Sequence, residues 1–335
     1  MWRLLALTLA VGCAASAPIR PRPAGGGLCV PVGQWVDPHD GQVLSHTRVI
    51  ARAGRAEVVL LGEEHDATEH HRWQLSVLAG LLARRGQLIV GLEALPRSAQ
   101  PALDEWSAGR LDTATFLERS AWRAYWGENA DEYLAIAHWA RLNRQPLVAL
   151  NVSHALVGRV GRDGWDAVPA AAREGLGDPV PAAPAYRRAL ARVYAEHACR
   201  DESVAERDPK FGRFVEAQLT WDRAMAEAIA SARRTHRDAL VVGIMGRGHV
   251  EHSAGVLPQL AALGVRHVEV LLPWDEERPC AELTSDLADA VFGVAAPADE
   301  RATMAKARAA LMPPCRRGAG ASPPPRTEPP PSSSR

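Results

Sequence analysis

Two short segments of this chain place a histidine three residues after a glycine: Gly62–His65 (GEEH) and Gly246–His249 (GRGH). A glycine lets the backbone turn tightly and approach a ligand closely. A histidine held at such a turn can bind a metal ion or transfer protons. Either segment alone is equally explained by a histidine and glutamates that interact with helix ends. Because the pattern occurs twice, we favour a functional site.

Each of these segments directly follows a short apolar run. Five such runs, all rich in Val, Leu or Ile, occupy residues 58–61, 88–92, 147–150, 239–245 and 267–272. Continuous rather than alternating hydrophobicity is typical of strands that are buried on both faces, as in a parallel sheet covered by helices. The runs therefore predict five strands of a mainly parallel sheet.

Polar side chains follow four of the five predicted strands. Glu63 and His65 follow the first, Glu93 the second, Asn151 the third and His249 the fourth. The carboxyl ends of parallel strands meet at one edge of a sheet, where ligands of open α/β sheets bind. We therefore expect these five side chains to lie around one crevice.

The segments between the predicted strands are helical in pattern. Apolar residues recur at helical spacing over residues 67–84 and 213–234. The stretches 97–143 and 155–235 are longer than simple crossovers, so we expect a helical insertion over the carboxyl ends of the strands. The sequence thus predicts an α/β domain over residues 33–312, with a mainly parallel sheet flanked by helices and this insertion.

Several blocks of the sequence resemble the ChaN-like family of haem-binding lipoproteins. They are VVLLGEEHDATEHHRWQLSVL, VGLEAL, the Tyr133 segment before PLVALN, EAQLTWDRAMAEAIA and VVGIMGRGH, in this order over about residues 50–272. The resemblance extends more distantly to the Tiki and erythromycin-esterase superfamily. Its members share a Gly-x-x-His, glutamate, Gly-x-x-His scheme. Tiki proteins are described as metal-dependent proteases, and the esterases as hydrolases that use Glu and His.

The resemblance implies that the chain binds haem, through tyrosine ligation and a homodimer around stacked haems. Tyr133 matches a family block, and a phenolate ligand suits ferric haem. Tyr125 lies eight residues earlier. Either tyrosine is equally explained as a half-buried aromatic residue. The residues that the resemblance places near haem are Tyr133, His65, Glu93, Asn151, Gln218, Asp222 and His249.

A metal-dependent hydrolase is the alternative function. His65, Glu93 and His249 would hold a divalent metal ion, and Glu63 or Glu64 would activate water. The chain has no H-E-x-x-H segment and no G-x-S-x-G segment. It is therefore neither an ordinary zincin nor a serine hydrolase of the nucleophile-elbow type. A third reading is a scaffold that binds a partner at the membrane.

The first residues indicate export. Residues 1–12 have the layout of a signal peptide, and Cys13 closes a segment that resembles a bacterial lipobox. The alternative is an ordinary signal peptide cut near Ala15 to Ala17. Residues 13–32 then form a linker behind a lipid anchor, and the absence of Asp after Cys13 resembles outer-membrane sorting. We expect a cell-envelope protein, anchored in the outer membrane and facing the periplasm or the surface.

The charge balance and the cysteines add two further expectations. The chain has 39 basic and 39 acidic residues, so no basic excess indicates a nucleic-acid partner. Residues 313–335 are rich in Pro and Ser, which predicts a disordered tail. Besides Cys13 the chain has Cys29, Cys199, Cys280 and Cys315. Export permits disulfides, and Cys280 with Cys315 is the pair that we favour among the alternatives.

Overall fold

The computed structural model describes residues 29–127, 130–198 and 206–295. The predicted signal peptide and tail (residues 1–12 and 313–335), Cys13, Cys199 and Cys315 lie outside these residues. Among the helices in the described part of the chain, none is both long enough and apolar enough to cross a membrane.

An eight-stranded sheet forms the centre of the molecule. Its strands are β1 (Trp35–Val36), β2 (Val43–Leu44), β3 (Val58–Glu63), β4 (Leu88–Pro96), β5 (Leu147–Asn151), β6 (Leu240–Gly246), β7 (Val268–Asp275) and β8 (Ala290–Val294). Their order is β2-β1-β8-β7-β3-β6-β4-β5. The six strands from β8 to β5 pair in parallel, and β1 pairs antiparallel with β8 and β2.

The predicted sheet is confirmed. All five predicted strands are present, and each is parallel to its neighbours in the sheet. The sequence did not predict β1, β2 and β8. The first two have only two residues each, which is too short for a hydrophobic pattern to be recognised.

Helices cover the sheet. They are α1 (His46–Ala53), α2 (Thr68–Arg85), α3 (Gln100–Ser107), α4 (Thr113–Arg119), α5 (Trp122–Trp126), α6 (Ala130–Leu142), α7 (His154–Asp163), α8 (Pro184–Ala198), α9 (Phe211–Thr235) and α10 (Val256–Ala262). The helices predicted over 67–84 and 213–234 correspond to α2 and α9. Gly86 ends α2 in the left-handed conformation, at a φ of 74°, which glycine adopts at little cost.

Strand β3 shows why the parallel strands have continuous apolar runs. Val59 and Leu61 belong to a core shared with α2 and α6, whereas Val58 and Leu60 belong to a core shared with α9 and α10. Successive side chains of a strand point to opposite faces. Since both faces are covered, every position has to be apolar, and each such side chain contributes about 1.5–3 kcal/mol by leaving water.

The structure pairs Cys280 with Cys29, at a Cα–Cα distance of 5.6 Å. The expectation that Cys280 pairs with Cys315 is therefore wrong. The two bonded cysteines are 251 residues apart. They meet because the segment before β1 packs beside β8, next to the strand that precedes Cys280.

Candidate functional site at the carboxyl edge of the sheet

The carboxyl ends of β3, β4 and β6 bring most of the predicted site residues together. Glu63 is the last residue of β3, Glu93 lies near the end of β4, and His249 lies in a short 3-10 turn after β6. Two groups of hydrogen-bonded side chains form at this edge. Each consists of a tyrosine, a carboxylate and a histidine.

The Glu63 triad comprises Tyr133, Glu63 and His65. Glu63 is buried, and its Oε1 accepts hydrogen bonds from the Tyr133 hydroxyl and from Nδ1 of His65, the latter at 2.9 Å. Its Oε2 accepts from Nε2 of Gln74 at 2.6 Å. Burial opposes ionisation of Glu63, but the hydrogen bond from His65 and the charges of His65 and His71 outweigh it. The pKa of Glu63 is therefore lowered.

His65 is the exposed member of this triad. Its side chain is 52% exposed, and its Nε2 makes no hydrogen bond with the residues that the structure describes. Burial lowers its pKa, but the carboxylates of Glu93, Glu63 and Glu64 raise it more, to about 10. His65 is thus an imidazolium at neutral pH, with one N–H held by Glu63 and the other directed away from it.

The Asp222 triad comprises Tyr186, Asp222 and His249. Nδ1 of His249 lies 2.6 Å from Oδ1 of Asp222, and the Tyr186 hydroxyl donates to Oδ2 of Asp222 at 2.9 Å. Asp222 is fully buried. Burial lowers the pKa of His249, but Asp222 and Glu93 raise it more, so the net shift is upward. Burial also raises the pKa of Asp222.

Glu93 links the two triads. Its Oε1 lies 3.5 Å from Nε2 of His249, and its Oε2 accepts from the backbone N–H of Gly246 at 2.6 Å. A Cβ atom added at Gly246 would lie 3.0 Å from Nε2 of His65 and 3.6 Å from Oε2 of Glu93. The glycine thus allows His65 and Glu93 to pack over the same piece of backbone.

The structure does not bring two predicted residues into these triads. Asn151 is buried, and its Oδ1 accepts from the backbone N–H of Val152, which is a local role. Gln218 is partly exposed on α9 and makes no hydrogen bond within the described part of the chain.

Sequence reasoning missed His70 and His71 as buried members of the site. Consecutive helical residues point in different directions, yet both side chains are buried. His70 Nδ1 accepts from the N–H of Glu64 at 2.9 Å, and its Nε2 lies 3.0 Å from Oδ1 of Asp275. Their position in the first turn of α2, directly after GEEH, is the signal that could have identified them.

The two candidate tyrosines differ in exposure. Tyr133 is fully buried, its hydroxyl faces Glu63, and its ring stacks on Trp126 with a centroid distance of 3.5 Å. Tyr125 is partly exposed and makes an edge contact with the ring of His154 at 5.2 Å. Its hydroxyl forms no hydrogen bond with the described residues. Of these two tyrosines, only Tyr125 is partly accessible, whereas the hydroxyl of Tyr133 could be reached only if its neighbours moved.

The predicted metal set of His65, Glu93 and His249 stays a prediction. Across the described residues, no group of three or more His, Cys, Asp or Glu side chains is arranged to hold a metal ion. One donor at this edge does fit ferric haem iron, because a phenol is a known ligand of it. The phenol is that of Tyr125.

Comparison with known proteins identifies the family and agrees with the fold. A sequence model described as haem-binding uptake, Tiki superfamily, ChaN matches residues 49–260. No curated protein matches the sequence.

Among solved structures, this chain is similar to one described as cofacial haem binding to ChaN of Campylobacter jejuni. The TM-score is 0.62 at 18% identity, covering 77% of this chain and 95% of that one. At this identity the match shows the fold. The type III effector HopBA1 aligns with a TM-score of 0.42 at 13% identity, over 81% of this chain and 98% of its own. A mutant of the erythromycin esterase EreC aligns with a TM-score of 0.42 at 14% identity, over 72% of this chain and 77% of its own.

Proposed function

Since this chain belongs to the ChaN family of haem-binding uptake proteins in the Tiki superfamily, we propose that it binds ferric haem at the carboxyl edge of its sheet, with Tyr125 as the iron ligand. The observation that carries the choice of ligand is the partial exposure of Tyr125, set against the complete burial of Tyr133. A tyrosinate ligand favours the ferric state and therefore suits capture or transfer of haem.

Tyr133 was the first choice from the resemblance. Ligation by Tyr133 would require its hydroxyl to leave Glu63 and its ring to leave Trp126. Glu63 would then lose one of its donors while it stays buried, and such a loss costs about 1–3 kcal/mol. We therefore assign Tyr133 to holding Glu63 and His65 in place. Tyr125 needs no such rearrangement.

A haemin titration of the purified protein tests this function. We expect saturable binding and an absorption spectrum of ferric haem with a phenolate ligand. Tyr125→Phe should lose that spectrum, whereas Tyr133→Phe should keep it. Tyr194→Phe is the matched control, because its hydroxyl is partly buried and bonded to Asp208. Absence of saturable binding would contradict the function, and an unchanged spectrum in Tyr125→Phe would contradict the ligand.

We place this activity in the bacterial cell envelope, on a protein anchored in the outer membrane through a lipidated Cys13. The support is the signal-peptide layout of residues 1–12 and the lipobox-like ending at Cys13. Labelling with a radioactive fatty acid tests the anchor. Wild-type protein should take up label, Cys13→Ala should not, and label in Cys13→Ala would contradict the assignment.

A dimer around two haems extends the proposal. The ChaN structure from Campylobacter jejuni is described as binding haem cofacially. A partly exposed Tyr125 would let two copies of this chain bring their ligands to each other. Light scattering should show the mass doubling when one haem is added per chain. A mass that stays monomeric at full haem occupancy would contradict the dimer.

A metal-dependent hydrolase remains a second candidate because Glu93 and His65 converge on Gly246 beside His249. Here a divalent ion would displace a proton from His65 and would be held by His65, Glu93 and His249. Calorimetric titration with Zn²⁺ or Mn²⁺ tests it: binding that disappears in Glu93→Gln supports this candidate. Equal binding by wild type and Glu93→Gln would contradict it.

A further inference from the structure

Five charged side chains form a continuous series of ion pairs across the loops that follow β3, β6 and β7. We call this series the rim ladder, and its members in spatial order are Glu64, Arg247, Glu251, Arg278 and Glu282. Each arginine contacts two carboxylates. Arg278 lies 2.8 Å from Glu282 and 3.0 Å from Glu251, and Arg247 lies 3.3 Å from Glu251 and also pairs with Glu64.

The middle of the ladder is shielded from water. The side chain of Arg278 is 9% exposed and that of Glu251 is 17% exposed. The guanidinium of Arg278 also lies over the buried ring of Trp274, 4.6 Å from its centroid. Solvent and salt screen such pairs much less than exposed ones. These pairs therefore interact more strongly than exposed ion pairs of the same length.

The two ends of the ladder lie at chemically distinct places. At one end, Arg247 and Glu251 each stand two residues from His249, and Glu64 directly precedes His65. At the other end, Arg278 and Glu282 each stand two residues from Cys280. Cys280 is bonded to Cys29. The ladder thus joins the disulfide to both histidines.

We propose that the Cys29–Cys280 disulfide positions His65 and His249 through the rim ladder, so that the site responds to thiol–disulfide exchange. A dithiol reductant attacks one sulfur of the cystine and forms a mixed disulfide. Its second thiol then displaces the protein sulfur, which leaves two protein thiols and an oxidised reductant. Cys280 is then free to move, and Arg278 moves with it. Loss of its contact with Glu251 leaves Glu251 with a single arginine partner, Arg247, beside His249.

The experiment combines the Cys29→Ser/Cys280→Ser protein with Arg278→Met in a double-mutant cycle on the full chain. The first readout is the NMR position of the His65 and His249 rings without haem. The second is haemin affinity, which rests on the proposed function. We expect the serine pair to shift both rings and to weaken haemin binding about tenfold, which is a typical coupling between sites. Arg278→Met should likewise shift both rings and weaken haemin binding. Adding Arg278→Met to the serine pair should change these two readouts little further.

Arg119→Met is the matched control, because Arg119 forms a two-nitrogen contact with Glu105 outside the ladder. It should move neither readout. Unshifted histidine rings in the serine protein would overturn the proposal, as would full additivity with Arg278→Met. If opening the disulfide unfolds the protein by circular dichroism, the disulfide stabilises the whole fold, which also overturns the proposal. Absence of haemin binding with shifted rings would overturn only the proposed function.

Discussion

The two Gly-x-x-His turns share a sequence pattern but differ in where their histidines obtain a carboxylate. His65 bonds to Glu63, two residues away, and remains half exposed. His249 bonds to Asp222, which comes from α9, and is almost fully buried. The first turn therefore leaves its histidine ring accessible at the edge of the sheet, whereas the second holds its ring inside the protein. The motif positions a histidine, and the surrounding fold decides what that histidine can do.

The largest expected effect is on stability, and it comes from the turn that carries His249. Asp222→Ala should lower the free energy of unfolding by about 3–5 kcal/mol, because it leaves a protonated His249 without its buried partner. Tyr186→Phe, which removes only one hydrogen bond to Asp222, should cost about 0.5–1.5 kcal/mol. Urea unfolding measures both. Equal losses in the two variants would mean that the ion pair does not hold this turn.

The difference between the turns limits what the sequence could predict. Glu63 and His65 lie two positions apart in one motif, and the strand before them has a clear apolar pattern. The position of the first turn, which carries His65, was therefore predictable from the sequence. The bond from Tyr186 to Asp222 joins residues 36 positions apart. This bond depends on how α8 packs against α9, and helix packing of this kind cannot be predicted from a local sequence pattern. The Cys29–Cys280 bond was missed for the same reason, since it depends on the order of strands in the sheet.

The glycines of the two turns should also behave differently. A Cβ atom at Gly62 would lie 2.3 Å from Leu272 and 3.3 Å from the backbone of Arg247. Gly62→Ala should therefore destabilise the fold by about 1–3 kcal/mol, as overpacking does. A Cβ atom at Gly246 meets the end of the His65 side chain. Gly246→Ala should cost less stability but should move the His65 ring in NMR spectra. Destabilisation of equal size at both positions would contradict this distinction.

The smallest effect concerns the charge of His65. Its pKa is raised to about 10, and Glu93 is the largest cause that raises it. Because the folded value lies above the ordinary value of 6.5, His65 contributes stability fully below pH 6.5, and this is lost as the pH rises to about 10. Glu93→Gln should bring the pKa of His65 closer to 6.5 in an NMR titration. Glu251→Gln is the control, since Glu251 is not among the main causes of the shift. An unchanged His65 titration in Glu93→Gln would contradict the assigned cause.

The central claim is that ferric haem binds to the exposed side of this edge through Tyr125. Electron paramagnetic resonance of the haemin complex of Tyr125→His, compared with that of Tyr133→His, tests it most directly. We expect Tyr125→His to keep haem but to replace the phenolate signature by that of an imidazole ligand, while Tyr133→His keeps the wild-type signature. A wild-type signature in Tyr125→His would contradict the claim.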